Sequence, residues 1–173
     1  MDRLIQKIRN IPDFPKKGVA FKDITPLLQD ASSFKRAILL LAEHYRNSKV
    51  SSLVSVESRG FILGAALAYE LGVGFIPVRK PGKLPYKVER ISYNLEYGED
   101  TIEIHTDAIK KGDEILVFDD VIATGGTAQA ICRLVEKLGG VVVGVCFLVE
   151  LTYLKGRDKL KGYDIFSLIK LGK

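Results

Sequence analysis

The chain has no tryptophan, one methionine, two cysteines and two histidines among 173 residues. Cys132 and Cys146 both lie in apolar surroundings, and neither belongs to a CxxC pair or a Cys/His cluster. A zinc module or a disulfide scaffold is therefore not expected, and buried thiols in a reducing compartment are. No apolar run approaches the ~18 residues that a membrane-spanning helix needs. The N-terminal segment MDRLIQKIRN is charged at helical spacing and lacks the apolar centre of a secretory signal. The expected location is the cytoplasm, with no membrane partner. No internal repeat and no low-complexity tract occurs.

Hydrophobic residues make up 47% and charged residues 27%, enough core and enough solvation for one domain with a small subdomain. The net charge of +5 admits nucleic acid or a phosphorylated small molecule as ligand. Its location favours the latter. Arg79, Lys80, Lys83, Lys87 and Arg90 face one acid, Glu89, within a stretch that also holds Pro81, Gly82 and Pro85. That composition reads as a basic loop, not a recognition helix, and no helix-turn-helix or aromatic RNA platform accompanies it.

The pattern along the chain alternates strands with helices. A short helix over 2–9 places Leu4, Ile5 and Ile8 inward. Thr25-Pro26 reads as a cap followed by proline at the first helical position, and Ser33 as the cap of a longer helix. Strands are expected at 53–56, 74–78, 114–118, 141–149 and 164–169, and helices at 61–71 and 127–138. Segments 91–97 and 101–106 alternate as an antiparallel pair. The predicted fold class is α/β, a mainly parallel sheet flanked by helices, with residues 1–30 as a hood and 31–173 as the core.

The segment VFDDVIATGGTA, residues 117–128, is the richest in chemistry. A strand delivers Asp119 and Asp120 to its C-terminal end, where open α/β sheets bind ligands. Gly125 and Gly126 allow close backbone approach, so that several amides converge on one anion. The helix after them adds its positive end, and Thr124 and Thr127 add hydroxyls. With no lysine in the GK[ST] position this is a phosphomonoester cradle and not a Walker A loop. A sugar phosphate held there would offer its vicinal hydroxyls, or a hydrated cation on them, to Asp119 and Asp120.

This segment resembles the signature of the type I phosphoribosyltransferase family, which uses phosphoribosyl pyrophosphate (PRPP). The resemblance implies that Ala123, Thr124, Gly125, Gly126 and Thr127 bind the 5'-phosphate. It implies that Asp119 and Asp120 bind the ribose diol and favour positive charge on the ring. Ser58, Arg59 and Gly60, in ESRGF, are similar to the family's pyrophosphate loop and offer backbone donors with a fixed cation. Arg79, Lys80 and Lys83 match its basic stretch. SYNLEYG, residues 92–98, resembles the flexible catalytic loop of the adenine-using members. That loop is expected over about 84–98, with Glu96 managing the proton of the base and Tyr97 at the substrate. In GVAFKDI, residues 18–24, the resemblance gives Ala20 backbone contacts and Phe21 a stacking contact with adenine, with Leu148 on the other face of the base. Lys22 stands where members often carry arginine, and lysine lacks the planar fork.

The implied reaction joins adenine and PRPP to give AMP and pyrophosphate. Mg²⁺ would arrive on PRPP, with no direct protein ligand. A homodimer is implied by the family. Two alternatives stand beside this reading: transfer to another purine or to orotate, and a PRPP-sensing regulator of the same fold that binds nucleic acid.

Overall fold

The computed structural model describes residues 2–95 and 98–172, with side chains at all of these except 2, 94, 95 and 98. Helix α1 (Asp2–Ile5) leads into a hairpin of β1 (Arg9–Ile11) and β2 (Phe21–Asp23). Then come α2 (Thr25–Gln29), α3 (Ala31–Tyr45), β3 (Ser52–Val56), α4 (Arg59–Leu71) and β4 (Gly74–Val78). A second hairpin, β5 (Val88–Leu95) and β6 (Gly98–His105), precedes β7 (Glu114–Ile122), α5 (Gly126–Lys137) and β8 (Val141–Leu151). Two 3-10 turns, Thr152–Leu154 and Gly156–Leu160, lead to β9 (Ile165–Leu171).

The central sheet has five parallel strands in the order β4-β3-β7-β8-β9. Its strands are apolar on both faces because both faces are covered. Leu53, Leu116, Phe118, Cys146 and Leu148 pack with α3 and α4, while their neighbours Val54, Ile115, Val117, Val145 and Phe147 pack with α5 and the second hairpin. Strand alternation thus splits the interior into two cores, one on each side of the sheet. Leu4, Ile24 and Leu27 of the first segment join the α3/α4 core.

Several boundaries differ from those read in the sequence. Ile5 is 37% exposed, since α1 ends there and does not continue to residue 9. Helix α2 begins at Thr25 itself, which donates its hydroxyl and its N–H to Asp23. The cap of α3 is Asp30, whose carboxylate accepts the Ser33 N–H at 2.8 Å; Ser33 lies inside the helix. Strand β7 does not stop at Phe118 but carries Asp119 and Asp120 within it, held by the parallel pairing of Asp119 with Phe147 and Val121 with Val149. Within the segment 84–98 expected as a loop, Val88–Leu95 form strand β5, paired residue by residue with β6. Ile102 and Ile104 on that partner are fully buried, which explains the order.

Candidate active site

The site gathers at the C-terminal ends of the parallel strands. Between β7 and α5, residues 123–127 wrap a cavity of about 170 Å³. Gly125 has φ +78° and stands at the N-terminal end of α5. A side chain there would be strained by that φ and would also meet the carbonyl oxygen of Gly156 at 2.3 Å. Gly156 is constrained in return, since a Cβ on it would lie 2.4 Å from Ala123 O and 3.1 Å from Gly125 N. The cradle is therefore pressed backbone to backbone against Gly156, the first residue of the second 3-10 turn after β8. Arg157 anchors that turn. Its Nε and Nη2 donate to the two oxygens of Glu150 at 2.7 and 2.8 Å, and its Nη1 donates to Ile165 O at 3.1 Å.

Beside the cradle lies a cavity of about 420 Å³ walled by Asp119, Asp120, Arg59, Gly60, Lys80 and Thr127 among others. Both aspartates are buried, 9% and 5% exposed. Burial, together with the charge of Asp120, pushes the Asp119 carboxyl well above the usual range. Burial raises Asp120 too, against the opposing pull of Arg59. Arg59 Nε lies 2.8 Å from Asp120 Oδ2 as an ion pair, but its N–H is not aligned, so that oxygen accepts no hydrogen bond. Arg59 Nη1 is also buried without a hydrogen-bond partner. Such unmet polar atoms at a cavity wall are where a polar ligand gains most. Gly60 allows this closeness, because a Cβ on it would meet Ser55 Oγ at 2.7 Å and Asp119 Oδ1 at 3.1 Å.

The basic loop after β4 is already paired. Arg79 Nη2 donates to Glu57 Oε2 at 3.0 Å and Lys80 N to Glu57 Oε1 at 2.5 Å. Burial works to raise Glu57, but these donors outweigh it and hold its carboxyl below the ordinary value. Lys80 Nζ pairs with Asp100 of β6. Buried Glu103 accepts from Gly82 N at 3.0 Å and pairs with Arg90 at 3.2 Å, tying the loop to the second hairpin.

A third cavity, about 440 Å³ and mostly apolar, opens beside the first hairpin. Ala20, Phe21 and Lys22 of the first hairpin face Val121, Ala123, Leu151, Tyr153 and Leu154 across it. Phe21 packs edge-on to Phe14, with ring centroids 5.2 Å apart, and carries the Arg59 guanidinium 4.8 Å from its own centroid.

The structure brings together most of the residues that the sequence nominates. Asp119, Asp120, Ser58, Arg59, Gly60, Lys80 and Thr127 share the central cavity; Ala123, Thr124, Gly125 and Gly126 form the cradle; Ala20, Phe21 and Lys22 wall the apolar pocket. Arg79 stands just behind, through Glu57, and Lys83 is exposed and outside the three cavities. Lys22 turns its ammonium to Asn10 Oδ1 at 2.9 Å. Leu148 is a correction: it is fully buried in the α3/α4 core, three residues short of the end of β8, and Leu151 at that end lines the pocket instead. Glu96 and Tyr97 lie outside the described residues. Sequence reasoning missed Val121, Tyr153, Asp100 and the locking role of Gly156. Of these, Val121 lay within the segment that carried the resemblance, residues 117–128.

A phosphate cradle at a strand end, paired acids beside it and a basic loop opposite define a phosphoribosyl-binding site. The family model for the phosphoribosyl transferase domain matches residues 24–170, and the chain belongs to that family. Its place within the family is among the adenine phosphoribosyltransferases. It is 58% identical to the adenine phosphoribosyltransferase of Geobacter metallireducens over 169 residues, 98% of this chain and 99% of that protein. The crystal structure of the enzyme from Thermoanaerobacter pseudethanolicus superposes with a TM-score of 0.96 at 54% identity, covering 98% of this chain and 99% of that one. The Saccharomyces cerevisiae enzyme, solved with an imino-altritol bisphosphate and adenine, gives a TM-score of 0.90 at 41% identity, over 96% and 97%.

Proposed function

We propose that this chain transfers the 5-phosphoribosyl group of PRPP to adenine, releasing pyrophosphate and forming AMP. The observation that carries this reading is that Val121 lines all three cavities. Cradle, acid-walled cavity and apolar pocket therefore meet at one residue, with adjoining room for phosphate, ribose and base.

The 5'-phosphate rests on the amides around Gly125 and Gly126, and the ring faces Asp119 and Asp120. The bond from C1' to the pyrophosphate oxygen breaks, its electrons leaving with pyrophosphate, and adenine N9 supplies the pair that forms the new bond and loses its proton. The charge that develops on C1' is stabilised by the buried acids. Arg59 and Lys80, with Arg79 behind them, take the charge of the leaving group, and the Ser58–Gly60 turn supplies the backbone on that side. The base lies in the hood pocket between Phe21 and Leu151, recognised by backbone groups near Ala20. Glu96 is proposed to hold the base proton.

Mg²⁺ bound to PRPP oxygens would neutralise the pyrophosphate. Asp119 and Asp120, the latter with a buried oxygen that accepts no hydrogen bond, would face the water ligands of such a cation. A homodimer is proposed through the outer face of α4, where Ile62 is 47% and Tyr69 88% exposed. A cytoplasmic setting suits two free, buried cysteines.

The test is release of pyrophosphate from PRPP and magnesium on addition of free bases. Release that depends on adenine and not on hypoxanthine, guanine or orotate is expected. Equal release with another base would replace the acceptor, and no release with any base would end the reading.

A further inference from the structure

The pyrophosphate end of the central cavity contains an anion of the protein's own. Asp100, on β6, lines that cavity and pairs with Lys80 Nζ. It also accepts a hydrogen bond from Tyr93 OH at 3.2 Å, across the hairpin from its register partner. Tyr93 OH in turn accepts from Thr127 Oγ1 at 3.3 Å. Thr127 closes the phosphate cradle and lines the central cavity as well. A directed chain therefore runs from the cradle hydroxyl through Tyr93 to Asp100 and meets the ammonium of the basic loop there. Burial favours the protonated form of Asp100, yet the Lys80 contact and the Thr101 N–H outweigh it, so its carboxyl sits below the ordinary value and is charged at neutral pH. Burial pushes the Tyr93 phenol up to about 12, so it stays a donor.

Resting on the reading of the site as a PRPP site, we propose that Asp100 is a positioning residue that acts as a built-in counter-anion. It engages, directly at Lys80 and through Tyr93 at Thr127, donors that the two phosphate ends of PRPP take over. It holds both donors in place before substrate arrives, and it competes with pyrophosphate for Lys80, which keeps the product from binding too tightly. The pair is partly exposed, 43% for the Lys80 side chain and 22% for Asp100, so the competition is modest and screened by salt.

Direct titration of the purified enzyme with magnesium pyrophosphate tests this. In Asp100→Asn the dissociation constant is expected to fall about fivefold at low salt, the gain shrinking as salt rises. The KM for PRPP should fall by a similar factor while kcat does not rise. In a Lys80→Met background the same change should move pyrophosphate affinity less than about twofold. Asp100→Glu should restore the wild-type constant. Asp100→Ser, smaller and also neutral, carries the same expectation should the Asn variant fold poorly. Unchanged or weakened pyrophosphate binding in a neutral variant that binds adenine normally would overturn the inference, as would an equal gain with Lys80 absent. A wild-type enzyme that binds neither pyrophosphate nor PRPP would overturn the functional reading, and this inference with it.

Discussion

The two ends of the PRPP site are built on opposite principles. The cradle at 123–127 is backbone, fixed by a glycine at φ +78° and by contact with Gly156, and no side-chain charge of its own competes for the anion. The basic loop at 79–83 is side chain, and its Arg79 and Lys80 are already neutralised by Glu57 and Asp100. A rigid amide nest suits a monoester that, in the proposed reaction, stays attached throughout. A set of paired cations suits a group that must arrive, be stabilised and leave. The difference shows that charge count alone is a poor guide to where affinity resides.

The strongest way to break this comparison is at Gly125. Gly125→Ala places a methyl against Gly156 O and forces an L residue into the left-handed region. A loss of about 100-fold in kcat/KM, with roughly 2–4 kcal/mol of stability, is expected from pyrophosphate-release kinetics and thermal melting. Near-normal turnover would mean that the cradle is not the rigid end.

Asp119→Asn follows. Activity should fall about 100-fold while the fold remains. Because burial raises the Asp119 pKa, the stability it contributes is present below about pH 3.8 and is lost as pH rises through its elevated folded value. The Asn variant should therefore melt about 3 °C higher than wild type at pH 7, with the gap closing as pH falls. A lower melting temperature at neutral pH would contradict the burial argument.

Glu57→Gln probes the softer end. The depressed Glu57 carboxyl contributes stability above about pH 4.5 that is lost as pH falls through its lower folded value. The Gln variant should lose about 0.5 kcal/mol at pH 7, a figure already reduced because Arg79 is 34% exposed, and nothing further in acid. The KM for PRPP should change a few-fold, far less than the effect at Gly125. Lys22→Arg is the smallest change. Since the Lys22 ammonium is bound to Asn10, the KM for adenine should stay within about twofold.

The parallel core was legible because each buried strand is a short apolar run followed by a helix with regular spacing, as in Leu53–Val56 and Phe61–Leu71. The cradle was legible because its function lies in the backbone, and glycines advertise backbone geometry. The strand through Asp119 and Asp120 was not, since two adjacent acids read locally as a strand end; only pairing with β8 keeps them in the sheet. Leu148 was misplaced because the sequence does not say how far along β8 the pocket opens. The second hairpin was legible from residue 91 because its side chains alternate. The start of its first strand, from Val88, was not, because the prolines and lysines before it read as loop while packing against Ile102 and Ile104 draws it into the pair.

By itself the sequence determined the class of ligand. A phosphate nest, two acids and a basic loop are local chemistry, and each needs only neighbours within a few residues. Tertiary structure alone decided that Gly156 locks Gly125, that Val121 joins three cavities, and that Asp100 reaches Lys80 and, through Tyr93, Thr127. These contacts join residues brought together by sheet order and hairpin packing, which local sequence does not encode.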